Sequence, residues 1–219
     1  ALPISTASKS LKKQEGSYSD LYFNYGLKYD LRNSRYNPTD GYITNFYQAL
    51  PVVSDGSEFT NLFEINKYQK LFSGMVGQIG FYTKVVNSVG GKDVRASKRV
   101  SLPSKKLRGF EPGKIGPTDG KAFIGGNYST AINMSTSLPQ LFPSLQNVDF
   151  NYFVDIANVW GVDYSDANVK DSNSIRSATG IAVDILTPIG PLNFSLSQPI
   201  SKSSSDITET FRFNLGTTF

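Results

Sequence analysis

TFRFNLGTTF, residues 210–219, alternates apolar and polar side chains and stops on an aromatic residue. Phe211, Phe213, Leu215 and Phe219 share one parity, while Arg212, Asn214, Gly216 and Thr218 share the other. A strand sends two such sets to opposite faces. One face suits hydrocarbon and the other suits water. A terminal strand of this kind can close a membrane barrel, because only a closed sheet satisfies every backbone donor and acceptor in hydrocarbon. The competing reading is an amphipathic edge strand of a soluble sandwich.

The pattern recurs. Leu21, Phe23, Tyr25, Leu27, Tyr29 and Leu31 alternate with Asp20, Asn24, Gly26, Lys28 and Asp30, with Tyr22 the one bulky aromatic among the second set. PTDG at 38–41 is a tight turn, since proline presets one dihedral and glycine admits positive φ. Further strands are expected at about 42–51, 58–71, 74–87, 121–136, 147–160, 174–187, 191–200 and 209–219. In the sixth of the nine, Val148, Phe150, Tyr152, Val154 and Ile156 oppose Asp149, Asn151, Phe153, Asp155 and Ala157. In the seventh, Ile175, Thr179, Ile181, Val183 and Ile185 oppose Arg176, Ala178, Gly180, Ala182 and Asp184. Small and charged residues therefore fall together on an expected lumen face.

Composition agrees with an all-β, antiparallel transmembrane barrel. The 219 residues are 13% aromatic, nearly all Tyr and Phe, which suit the interfacial girdles of a barrel. No run approaches the roughly 18–20 apolar residues of a transmembrane helix. Absence of cysteine excludes a disulfide scaffold, and absence of histidine removes the usual general base and metal ligand. No catalytic residue, metal or cofactor is expected, and an enzyme would want a nucleophile cluster that the chain lacks. The net charge of +4 is slight and its lysines are scattered, so nucleic acid is not an expected partner. Residues 1–16 show no basic start followed by an apolar run, so no signal peptide is expected, and the sequence reads as entering midway through a larger domain.

Connection lengths separate into two sets. The turns at 38–41, 72–74 and 187–191 are short, whereas 161–173, 201–208 and above all 88–120 are long; the 137–146 connection is longer than its side of a barrel requires. With the C-terminus taken as periplasmic, the short turns fall on the periplasmic side and the long loops outside, as outer-membrane barrels require. Within the longest loop lies LRGFEPGKIGP, residues 107–117. An arginine, a glycine, an aromatic residue and two later Gly-containing turns can form a compact hook that delivers a guanidinium to a carboxylate. A basic Gly/Pro-rich surface loop is the plainer reading of the same residues.

Taken with RYNPTDGY (35–42), GGN (125–127), FVDIANVW (153–160), GIAVDILTPIGPLNFSLSQPI (180–200) and FRFNLGTTF (211–219), that hook resembles the C-terminal barrel portion of the BamA assembly factors, in the BamA/TamA superfamily. Matches in order run from about residue 17 to the end. The resemblance implies that residues 1–219 hold the last nine strands of a sixteen-stranded barrel, without the periplasmic POTRA repeats or first barrel strands. It implies insertion and folding of outer-membrane β-barrel clients through an imperfectly zipped seam between first and last strands, in the outer membrane of a Gram-negative bacterium. Unfolded barrel clients, accessory assembly lipoproteins and outer-membrane lipid are the implied partners.

The resemblance also implies a lumen-inserted hook with Leu107, Arg108, Gly109 and Phe110 at its tip. Parity makes Asp155 the partner of Arg108. The family pattern usually offers a second acidic residue on the preceding strand, where this sequence has Ser135; sharing the lumen parity of Asn127, Ser129 and Asn133, it is a latch partner able to accept a hydrogen bond, and the latch is expected to lack one charge-assisted contact, roughly 1.5–3 kcal/mol. The movable edge is expected at 208–219, with Gly216 helping it bend. A TamA-like or two-partner secretion barrel shares the hook and is the alternative within the superfamily; a passive porin lacks it.

Overall fold

Period-two patterning becomes strand wherever both faces can be satisfied at once. The structure, a computed structural model, describes residues 8, 12, 14–35, 37–138, 147–171, 173–187 and 190–215. Its strands are β1 (Asp20–Asp30), β2 (Gly41–Ser54), β3 (Glu58–Lys70), β4 (Val76–Ser88), β5 (Thr118–Asp119), β6 (Ala122–Phe123), β7 (Tyr128–Ser137), β8 (Val148–Trp160), β9 (Val169–Lys170), β10 (Arg176–Thr187), β11 (Gly190–Ser201) and β12 (Phe211–Leu215). Nine of them form one sheet in the order β1-β2-β3-β4-β7-β8-β10-β11-β12, and each neighbouring pair is antiparallel. β6, β5 and β9 make a small separate sheet.

The two parities separate as expected. Over β7 to β11, Ile132, Ile181 and Leu196 on one face are 37%, 48% and 60% exposed, while Ala131, Asp155 and Ala178 on the other are almost wholly covered; β1 is exposed on both faces. The cover is the long loop between β4 and β7. Leu102, Leu107, Phe110 and Ile115 from that loop pack on Tyr82, Ala131, Ala157, Val159 and Ala178, with Leu62 at the margin. The core is therefore a loop seated on the inner face of a sheet. A second cluster, Val86, Val94 and Val100, fixes the loop where it leaves β4.

Strand boundaries hold to within a few residues, with one larger departure. The strand expected from 121 begins at Tyr128, because residues 122–123 turn away to form β6 and GGN forms a bend. A side chain at Gly126 would place its Cβ 2.3 Å from the Trp160 carbonyl oxygen, and Gly125 has φ +70° against Val100. The bend bonds to Val100 and Gly161 through backbone, and Asn127 Nδ2 donates to Asp163 Oδ1 at 2.6 Å. At the opposite end, the turn expected around 72–74 is a short 3₁₀ turn (Phe72–Gly74). Gly216 and Phe219 lie outside the described residues, as do 139–146 and 188–189 within two of the connections.

Side-chain direction yields the first test. In membranes, cysteines replacing Phe150, Val154 or Ile181 should react with a reagent dissolved in the lipid phase, whereas cysteines at Asn151, Asp184 or Asp155 should not. Equal labelling of both sets would overturn the assignment of the exposed apolar face to lipid.

Candidate functional site

The hook owes its path to small residues beneath it. Ala178, Gly180 and Ala182 line the inner face of β10, leaving a lane with almost no side-chain height. Gly109 crosses that lane at φ +86°, so close that a Cβ there would lie 3.0 Å from Ala178 Cβ and 3.3 Å from Ser197 Cβ. Only glycine combines this backbone conformation with this clearance. Leu107 and Phe110, on either side, are buried in the core cluster.

Arg108, held between them, turns toward β8. Its Nε donates to Asp155 Oδ2 at 2.7 Å, its Nη2 to Oδ1 at 2.8 Å, and its backbone N–H to Oδ2 at 3.0 Å. The guanidinium lies 3.4 Å from the centroid of the Phe153 ring, which has no exposed surface. Gly180 makes room for that ring: a Cβ there would lie 2.8 Å from Phe153 Cζ. One face of the cation thus meets a π cloud while its edge meets a carboxylate in a fork geometry.

Ser135 is not part of this arrangement. Its hydroxyl donates to Gln78 Oε1 at 3.3 Å, on the neighbouring β4. The β7 residue at the latch is instead Asn133, two residues back along the strand and directly opposite Asp155 in the ladder. Asn133 Nδ2 donates to Asp155 Oδ1 at 2.8 Å and to the Lys106 carbonyl at 3.0 Å. The cause is simple. Residues of one parity share a face, but only register decides which of them stands opposite a given partner.

Further cations fasten the loops. Lys106 Nζ reaches Glu64 Oε1 at 2.6 Å. Burial draws the neighbouring Lys105 ammonium below the ordinary lysine range. Arg95 bridges Glu58 at 2.6 Å and Asp20 at 2.8 Å, and its bond to Glu58 holds its proton more firmly than usual. Arg176 makes a two-pronged pair with Asp206, at 3.0 and 3.1 Å, in which neither side chain is exposed. None of these pairs was read from the sequence, although the lumen parity of Arg176 and Glu58 is visible in it.

The terminal strand shows the expected division, with Phe211, Phe213 and Leu215 outward and Arg212 buried. It pairs with β11 over five rungs, Leu192↔Leu215 to Leu196↔Phe211. Its other edge has no strand partner among the described residues. Residues just before it pair with the hook: Phe110 bridges Thr208, and Glu209 N donates to the Gly109 carbonyl at 3.1 Å.

The buried pair predicts an asymmetry. Arg108→Ala strands a fully buried carboxylate and should cost roughly 3–5 kcal/mol. Asp155→Ala should cost less, since the Arg108 side chain keeps 17% of its surface open to water. Adding Asp155→Asn to Arg108→Ala should recover part of the loss. Thermal unfolding in detergent, followed by the shift in gel mobility of the folded barrel, measures all three.

Residues 3–219 match the Omp85 superfamily domain. The chain is 32% identical to the outer membrane protein assembly factor BamA of Neisseria meningitidis serogroup B, over 83% of its length and 26% of that protein's. It is 22% identical to BamA of Neorickettsia risticii, over 97% of its length and 29% of that protein's. Among solved structures it resembles BamA from Haemophilus ducreyi lacking POTRA domains 1–3, with a TM-score of 0.79 and 29% identity over 90% of this chain and 42% of that one. The chain thus spans less than a third of the two full relatives and less than half of the solved barrel protein. A continuous antiparallel sheet with one apolar exposed face, curled over a latched hook, is part of a transmembrane β-barrel, and the chain belongs to the Omp85 superfamily.

Proposed function

We propose that this chain is the C-terminal part of the barrel of an outer-membrane protein assembly factor, which folds and inserts other β-barrel proteins without chemical catalysis. The observation that carries the reading is the terminal strand. β12 is held on one side by five rungs to β11 and by the hook, and its other edge has no strand partner among the described residues. An exposed strand edge recruits an incoming strand by main-chain hydrogen bonding, whatever the incoming side chains are. That indifference to sequence suits a protein whose clients share only strand geometry.

In the full barrel, β12 would meet the first strand at an imperfectly closed seam, and the seam would admit a client strand. The outward aromatic residues Phe211 and Phe213 would sit in lipid beside it, with the C-terminus in the periplasm. POTRA repeats upstream and accessory lipoproteins would deliver unfolded clients to that edge. Local thinning of the bilayer at the seam would lower the cost of bringing a new strand across.

A disulfide between β12, at Asn214, and the first barrel strand of the full-length protein tests the reading. Reconstituted with an unfolded client, the cross-linked barrel should itself remain folded while client insertion falls at least about tenfold, the loss expected when strand addition is blocked. Reduction should restore insertion. Undiminished insertion by the cross-linked protein would overturn the seam mechanism.

A further inference from the structure

Arg212 lies on the inner face of β12, where alternation alone would make it one polar residue among several. Its contacts set it apart. Nη1 donates to the Ser104 carbonyl at 2.5 Å and Nη2 donates to the Phe110 carbonyl. Nε and Nη2 also reach Glu209 Oε2 at 3.0 and 2.7 Å, which aligns the fork. Ser104 and Phe110 stand on the two arms of the hook, before and after Arg108. One guanidinium therefore grips the base of the hook by its backbone, and does so from the terminal strand.

The connection leading into β12 runs beside the hook as well. Glu111 N donates to the Ile207 carbonyl at 2.9 Å, Ile207 N to the Lys114 carbonyl at 3.1 Å, and Glu209 N to the Gly109 carbonyl at 3.1 Å. The hook is thus fastened at two points that lie on different strands. Arg108 ties it to β8, and Arg212 ties it to β12, with β10 and β11 between them. Among the described residues β12 has five rungs to β11, and Ser197 N donates to the Thr210 carbonyl beside them at 2.8 Å. The bonds to the hook therefore add a second support to the one β12 takes from β11.

We propose that Arg212 is a positioning residue that couples the two: the terminal strand keeps its place against β11 only while the hook is latched, and the latch is firmer while that strand is in place. If Arg108 leaves Asp155, the carbonyls of Ser104 and Phe110 move and Arg212 loses its acceptors. Coupling of this kind is reciprocal. On the seam reading above, hook position then sets whether the edge offered to a client is rigid or frayed.

The test is a double-mutant cycle on the full-length protein in lipid nanodiscs, without client, read by hydrogen exchange of the amides of residues 211–215. With Arg212 present, Arg108→Ala should speed exchange in β12 about tenfold, within the usual range of coupled sites. In the Arg212→Gln background, exchange should already be raised and Arg108→Ala should add less than about twofold. Exchange in β1 and β2, away from the hook, should rise less than in β12 throughout, where a general loss of stability would raise all three alike. Independent, multiplying effects would overturn the proposal, as would a β12 unmoved by Arg108→Ala. Should Arg212→Gln not assemble, Glu209→Gln removes the carboxylate that aligns the fork and should cut the coupling at least about threefold; undiminished coupling would overturn the proposal equally. The cross-linking experiment can fail with this cycle intact, so the two ideas fall separately.

Discussion

A carboxylate taken out of water must be supplied with charge or hydrogen bonds, and Asp155 is supplied with both. Two guanidinium donors, one backbone N–H and one carboxamide converge on its two oxygens. The remaining interior follows from that demand. The hook must enter the lumen to bring Arg108, the β10 lane must stay low to let it pass, and Phe153 must lie flat beneath the cation. A barrel wall satisfies its own backbone but offers no core to rest on. Here the core is imported by a loop, and the loop is located by one buried ion pair.

Guanidinium groups recur wherever a loop meets the wall. Arg95 joins the start of the long loop to β1 and β3, and Arg176 joins β10 to the 202–210 connection. Arg212 does the reverse, reaching from the wall to the loop. Lysine would serve poorly in these places. A planar fork with five donors can satisfy a carboxylate and a carbonyl together, and it gives up less hydration when buried than a compact ammonium does.

The wall of this protein was legible in its sequence because a strand has a period of two and one of its faces meets hydrocarbon. Phe150, Ile181 and Phe213 could be placed outward, and Asp155 and Ala178 inward, from parity alone. The hook was legible as well, since LRGF and the lumen parity of Asp155 named both partners of the latch. Parity does not carry register, which is why Ser135 was expected where Asn133 stands. Nor does it carry the path of a loop. The departure at 121–127 depends on how closely Gly126 must pass Trp160, a distance set by strands remote in sequence. Arg212 was hidden for the same reason: its acceptors are backbone carbonyls, which have no signature in the residues that bear them.

The wall and its filling also differ in when they can form. Most neighbouring strands pair residues close along the chain, so closing them orders only a short loop, and pairing can proceed strand by strand; β4 and β7, joined across the long loop, are the exception. The latch instead joins residues 47 apart, and the grip of Arg212 on the hook spans 108 and 102 residues. The lane that the hook crosses does not exist until β8 and β10 lie side by side, and its second fastening waits for the last strand to be in register. The hook is therefore an internal inspector of assembly: it seats fully only in a wall that is already complete on that side, and a wall left unfinished keeps its interior open.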